Sequence, residues 1–109
     1  MSRLREMFDK QEDLIEHVIQ EHGPFSNSVT DTVTAIVGEL GEILEADQSW
    51  KHWRKNPPKV DSAHVQGELG DLWHFVVQLT LFLGYSDEDI YNAYMRKNKI
   101  NHERQDNDY

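Results

Sequence analysis

The sequence contains no cysteine, so disulfides and thiolate metal sites are excluded and nothing argues for secretion. Only three prolines are present, and no apolar run approaches the length needed to cross a bilayer. The opening stretch, "MSRLREMFDKQEDL", lacks the apolar segment of a signal peptide. The expectation is a cytoplasmic protein with no membrane partner. Positive charge is also scarce: 11 Lys and Arg stand against 20 Asp and Glu, a formal net charge of −9. Binding to nucleic acid is therefore not expected, because it depends on basic side chains neutralising phosphates. A phosphate-bearing ligand would need a cation between it and this chain, and a divalent metal is the obvious candidate.

What is present suits one small helical domain spanning residues 1–109, with 38% hydrophobic and 28% charged residues. Leu4, Met7, Phe8, Leu14, Ile15, Val18 and Ile19 recur at helical spacing until Gly23 and Pro24. A second stripe runs through Val29, Val33, Ile36, Val37, Leu40 and Leu44. The stretch "WRKNPPKVD" is a loop, since Pro57 and Pro58 cannot continue a helix. Asp61 or Ser62 then caps a third helix with a heptad seam of Val65, Leu69, Leu72, Val76, Leu79 and Leu83, closed by Gly84. Ser86, with Asp89 three residues on, opens a fourth. Sustained period-two alternation is missing. The predicted fold class is all-α, an antiparallel four-helix bundle.

One phrase is written twice: "GELGE" at residues 38–42 and "GELGD" at residues 67–71. A glycine inside a helix costs about 1 kcal/mol relative to alanine, so Gly38, Gly41, Gly67 and Gly70 call for an offset such as close helix approach or room for a bound group. In each copy the carboxylates stand three apart, Glu39 with Glu42 and Glu68 with Asp71, so each pair shares a helix face and repels. At about 100° per residue, Glu39 and Glu68 lie beside the apolar stripes, with Ala35 and Ala46 on the first acidic flank and Phe75 and Phe82 on the second. A lone Glu-x-x-Glu is usually a solvated face. Two such pairs at the edge of a core predict raised pKa values or bound cations, and hard oxygen ligands suit Mg²⁺, with Mn²⁺ able to substitute.

Further along, Lys97, Asn101 and Arg104 continue the fourth helix's stripe of Ile90, Ala93 and Tyr94, turning it from apolar to cationic. Such donors suit phosphate oxygens, although a basic last turn also complements the helix dipole. Trp50, Trp53 and Trp73 could stack on a base or serve as core or interface. His74, three residues after Asp71, is a candidate support for the acidic site. The third helix is apolar around most of its circumference through Trp73, Phe75, Val77, Leu81 and Phe82, more than one short chain can cover.

"GELGEILEA" followed by "ELGD" resembles the Glu-x-x-Glu, spacer, Glu-x-x-Asp signature of the MazG-like all-α nucleoside triphosphate pyrophosphatases. "SWKHWRKNPPK", "GDLWHF" and "YMRKNKINHERQDNDY" are similar to stretches of the related all-α dUTPases, so the resemblance covers roughly residues 28–109. It implies Mg²⁺-dependent cleavage of a nucleoside triphosphate between the α and β phosphorus, with Glu39, Glu42, Glu68 and Asp71 as metal-holding and catalytic residues. Glu39 would position the attacking water, with Glu42 as the alternative. It also implies nucleotide contacts from Lys51, Trp53 and Trp73, and phosphate contacts from Lys97 and Asn98, beside Asn101 and Arg104. A deoxynucleotide substrate and house-cleaning of the nucleotide pool are expected, with dUTPase proper or phosphoribosyl-ATP pyrophosphohydrolase as alternatives. The expected partner is a second copy of the chain, a homodimer at least and a homotetramer by preference. Two other readings are a carboxylate-bridged di-iron bundle, which would want His three residues after the glutamates, and a non-catalytic acidic interaction module.

Overall fold

The computed structural model describes residues 2–56 and 58–107. Four helices follow in order: α1 (Arg3–His22), α2 (Ser28–Ala46), α3 (Ser62–Phe82) and α4 (Asp87–Asp106). Among the described residues there is no strand. No helix is long and apolar enough to cross a membrane. Pro57, one of the two prolines taken to mark the loop, lies outside the described residues, as do Asp108 and Tyr109.

Local chemistry fixes most boundaries. The Ser2 hydroxyl accepts the Arg5 N–H at 3.0 Å to start α1, and Gly23, at φ +86°, supplies the left-handed turn that ends it. Asp61 accepts from the backbone of Ala63 and His64 at the head of α3. At α4 the expected capping box is complete, Ser86 and Asp89 each bonding the other's backbone N–H.

The most extensive packing joins α2 to α3; α1 lies against α3, and α4 rests mainly on α1. Thr32, early in α2, meets Gln78, late in α3, and one heptad on Glu39 meets Asp71, so the two helices run antiparallel. Among the described residues, only Phe8, Ile15 and Val77 are buried hydrophobics, beside three buried polar residues, Gln11, Thr32 and Gln78. No residue of α4 is buried. The radius of gyration, 17.4 Å, exceeds the roughly 13 Å of a compact domain this long.

The two apolar stripes are therefore placed differently from expectation. On α2, Val33, Val37, Leu40 and Leu44 are exposed, Val37 by 64%. The face turned inward is Thr32, Ala35, Ile36, Glu39, Ile43 and Ala46. On α3 the predicted seam is half right: Val65, Leu72 and Leu79 are at least half-buried, but Leu69, Val76 and Leu83 are exposed. Their inward places are taken by Glu68, Phe75 and Phe82. Phenylalanine buries more area than leucine or valine, and Phe82 also gains an edge-to-face contact with Phe25 at 5.0 Å. Glu39 and Glu68 thus sit on the α2–α3 contact face itself, while Val33, Val37, Leu40 and Leu44 of α2 and half of the α3 seam face outward. The glycines of the repeated phrase mediate no close approach within the chain, because a Cβ at Gly38, Gly41, Gly67 or Gly70 would meet nothing within 4 Å.

Candidate active site

The antiparallel α2–α3 pairing brings one copy of the repeated phrase against the other. Glu39, Glu68 and Asp71 each offer a carboxylate oxygen, all within 4.8 Å of one another. Glu39 is half-buried, and its Oε2 is sealed from solvent with no hydrogen-bond partner. Its carboxyl titrates above the ordinary glutamate range, first because burial strips its water and then through hydrogen bonding with Glu68 and repulsion by Asp71, Glu68 and Glu42. A sealed acceptor among like charges is stable only with a proton or a cation beside it. An all-carboxylate oxygen set is what Mg²⁺ or Mn²⁺ prefers, so these residues fit such an ion.

Glu42 is exposed and outside this tight set of three, adding only to the field on Glu39. It stands three residues beyond Glu39, about 60° round the helix. His64 Nε2 lies 3.7 Å from Glu68 Oε1. The sequence reading passed over it, although the i,i+4 spacing was legible. His74 is not among these three, and its Nδ1 donates to the Gly70 carbonyl at 2.8 Å.

The other predicted site residues fall in three places. Lys51 and Trp53 lie in the loop after α2, where the Lys51 ammonium sits 5.2 Å from the Trp50 ring and Trp53 packs edge-on against Trp50 at 5.7 Å. The Trp50 indole N–H donates to Leu44 O, tying this aromatic group to the end of α2. Trp73 is 54% exposed and lines an open cavity of about 670 Å³ between α1 and α3 with Gly70, His74, Gln11, Arg3 and Lys10. Lys97, Asn98 and Asn101 are exposed on α4 and Arg104 is half-exposed, bonded to Asn101. Within one chain α4 docks mainly on α1, and the acids lie between α2 and α3.

The family model described as dUTPase matches residues 3–83 and 76–109. The chain belongs to the dUTPase family. Among curated proteins, this dUTPase-family chain is 32% identical over 96 residues to the "dCTP pyrophosphatase" of Enterobacteria phage T4, covering 74% of this chain and 56% of that protein. It is 30% identical over 95 residues to the "dCTP pyrophosphatase" of Enterobacteria phage LZ5, covering 77% and 55%. It thus spans about half the length of the curated relatives it matches. No solved structure matches it significantly.

Proposed function

We propose that this chain is a deoxynucleoside triphosphate pyrophosphohydrolase, releasing a monophosphate and pyrophosphate. The observation that carries the reading is the convergence of Glu39, Glu68 and Asp71 from two helices around a sealed, unpartnered oxygen. These three would hold Mg²⁺, with Mn²⁺ as a substitute and Glu42 at the periphery. The ion would supply charge neutralisation at the triphosphate oxygens. Glu39 binds a proton more readily than an ordinary glutamate. It is the group suited to take one from a water that attacks the α phosphorus as the bond to the bridging oxygen breaks. Names in the family and among the relatives, dUTPase and dCTP pyrophosphatase, put pyrimidine deoxynucleotides first and support a role in cleaning the nucleotide pool.

Assembly belongs to the same reading. The outward stripes of α2 and α3, the thin core and the separation of the α4 cations from the acids are resolved together if copies of the chain pair. The carboxylates of one copy would then meet Lys97, Asn98, Asn101 or Arg104, or Lys51 and Trp53, of another. The proposed state is a homotetramer built as a dimer of dimers, an obligate apolar interface.

The test is pyrophosphate release from a panel of NTPs, dNTPs and phosphoribosyl-ATP with Mg²⁺, Mn²⁺ or neither. Metal-dependent release from dNTPs is expected. Release from none of them, with unchanged thermal stability on adding Mg²⁺ and a non-hydrolysable nucleotide, would leave only an acidic interaction module.

A further inference from the structure

Helix α2 offers α3 two faces, and the less apolar one is in use. The outward stripe of Val33, Val37, Leu40 and Leu44 keeps the four-and-three spacing of a packing seam. The inward face, about a third of a turn away, carries Thr32 and Glu39 among Ala35, Ile36, Ile43 and Ala46. Burying Val and Leu gains more than burying Ala and Thr, and Glu39 costs free energy where it stands, with Oε2 sealed and unpartnered. Apolar burial alone would therefore turn the other face toward α3. A directional interaction must select the observed pairing.

That interaction is a buried chain of hydrogen bonds. The Ser28 carbonyl can only accept, so the Thr32 hydroxyl gives it its proton at 2.7 Å. Thr32 Oγ1 accepts in turn from Gln78 Nε2 at 3.0 Å, and Gln78 Oε1 accepts from Gln11 Nε2 at 3.1 Å. One amide on α3 thus holds α2 by its nitrogen and α1 by its oxygen. Gln11, Thr32 and Gln78 are exposed by only 3, 1 and 8%, so a pairing that separated them would strand buried polar groups. Placement ties these bonds to the acids. Thr32 and Glu39 are one heptad apart on α2, as are Gln78 and Asp71 on α3, so the bonds and the carboxylates occupy the same two strips, about two turns apart. With Thr32 against Gln78, Glu39 falls level with Asp71. A slip of one heptad, about 10.5 Å, would set Thr32 against Asp71 and Glu39 against His64. The three oxygens that lie within 4.8 Å of one another would then separate.

We infer that Gln78, Thr32 and Gln11 are positioning residues for the carboxylate set: their bonds select the face and the register with which α2 meets α3, and so bring Glu39 to Glu68 and Asp71. The effect on catalysis rests on the hydrolase reading above, whereas the selection of the pairing does not. Fixing register among helices whose apolar surfaces permit several pairings is the best-attested use of a buried polar group. A helix curves only gently over two turns, so an error at Thr32 reaches Glu39 undiminished. A displacement of about 1 Å at a reacting group can cost about a hundredfold in rate. The same role accounts for three polar side chains standing beside Phe8, Ile15 and Val77 in so thin a core.

The decisive variant is the triple substitution Gln11→Met, Thr32→Val and Gln78→Met in the full chain, which removes the partners together at nearly constant volume. It strands no amide, so its urea midpoint should match or exceed that of the wild type. Glu45→Cys and Gln66→Cys, exposed and level across the helix pair, add two thiols to a chain without cysteine. Nitroxide labels there report the α2–α3 register by electron spin resonance, after dilution into unlabelled chain. The parent should give one narrow distance. The triple variant should give a broadened or shifted distribution, by up to about 10 Å for a full heptad, and bind Mn²⁺ at least about tenfold more weakly; Thr32→Ser should keep both parental values. A parental distance in the triple variant would overturn the inference whatever its activity. So would a parental Mn²⁺ affinity beside an altered distance, because the carboxylates would then converge without these bonds. If the wild type neither binds Mn²⁺ nor releases pyrophosphate, the hydrolase reading fails and the distance alone decides the pairing. If the triple variant does not fold, Thr32→Val, which severs only the tie to α2, decides by the same two measurements.

Discussion

A buried chain of hydrogen bonds, Gln11 Nε2 to Gln78 Oε1, Gln78 Nε2 to Thr32 Oγ1 and Thr32 Oγ1 to the Ser28 carbonyl, joins α1, α3 and α2 and lends itself to a quantitative test of stability. Gln78→Met preserves length and apolar volume but strands two neighbours. Gln11 Nε2 loses its acceptor in a residue only 3% exposed, whereas Thr32 Oγ1 loses a donor but keeps its bond to Ser28. An orphaned buried donor costs about 1–3 kcal/mol. The second loss is smaller, so the expected destabilisation is about 2 kcal/mol, or about 10 °C in Tm for a domain of this size. Gln11→Met should cost a similar amount by stranding Gln78 Oε1. The double substitution removes both ends of that bond and should cost less than the two single changes together, with a coupling of about 1 kcal/mol or more. Urea unfolding followed by far-ultraviolet circular dichroism reads this out at one fixed protein concentration, because assembly adds a concentration term of its own. Single substitutions within about 0.5 kcal/mol of wild type, adding without coupling, would refute the reasoning.

Glu39→Gln, Glu68→Gln and Asp71→Asn should each lower pyrophosphate release by about a hundredfold or more without loss of helicity, with Glu42→Gln, outside the tight set, the mildest; wild-type rates in any two of the first three would remove the metal-cage reading. The Glu39 carboxyl holds its proton more tightly folded than unfolded, so without metal its contribution to stability improves as pH falls from neutral toward 4.5. Asp47 and Asp89, held low by bonds from Ser49 and Ser86, reverse the trend as pH falls below 3.8. Urea midpoints should therefore be higher at pH 5 than at pH 7.5 without metal, and Mg²⁺ should erase that difference. Light scattering at micromolar concentration should give a multiple of 12.8 kDa; that mass itself, with activity retained, contradicts the paired-chain proposal. Gly38→Ala and Gly41→Ala meet open space in one chain and should each stabilise it by about 1 kcal/mol. Destabilisation on calorimetry would mean that a neighbouring copy occupies that space.

Helix number and boundaries were legible because they are local: a capping box at Ser86 and Asp89 and a glycine at position 23 act within a few residues. Which face of each helix turns inward was not. Hydrophobic periodicity marks every apolar face alike, whether it meets the same chain or another surface, so Val37 and Leu40 read as core and lie open. The meeting of Glu39, Glu68 and Asp71 was visible because one phrase is repeated at matching positions of two adjacent helices. Glu42 shares the phrase but not the place, since three residues leave it about 60° round the helix from Glu39. The amide chain escaped notice because a glutamine amid polar residues carries no periodic signal; it becomes visible only once Gln11, Thr32 and Gln78 meet.

The loop between α2 and α3, residues 47–61, has a consequence for how the acidic centre comes into being. Glu39 lies before it and Glu68 and Asp71 after it, so neither helix alone holds the full set. A tether of this length keeps its two ends at an effective concentration of about millimolar, well above any the separate helices would reach in solution. The loop is thus a concentration device. A cation arriving before the helices have paired finds only two isolated carboxylate pairs, and one arriving afterwards finds three converging oxygens. Were an ion held there as proposed, its affinity would be a direct report of α2–α3 pairing. A proteolytic cut near Pro58 would convert that affinity from a fixed property of the molecule into one that falls away on dilution.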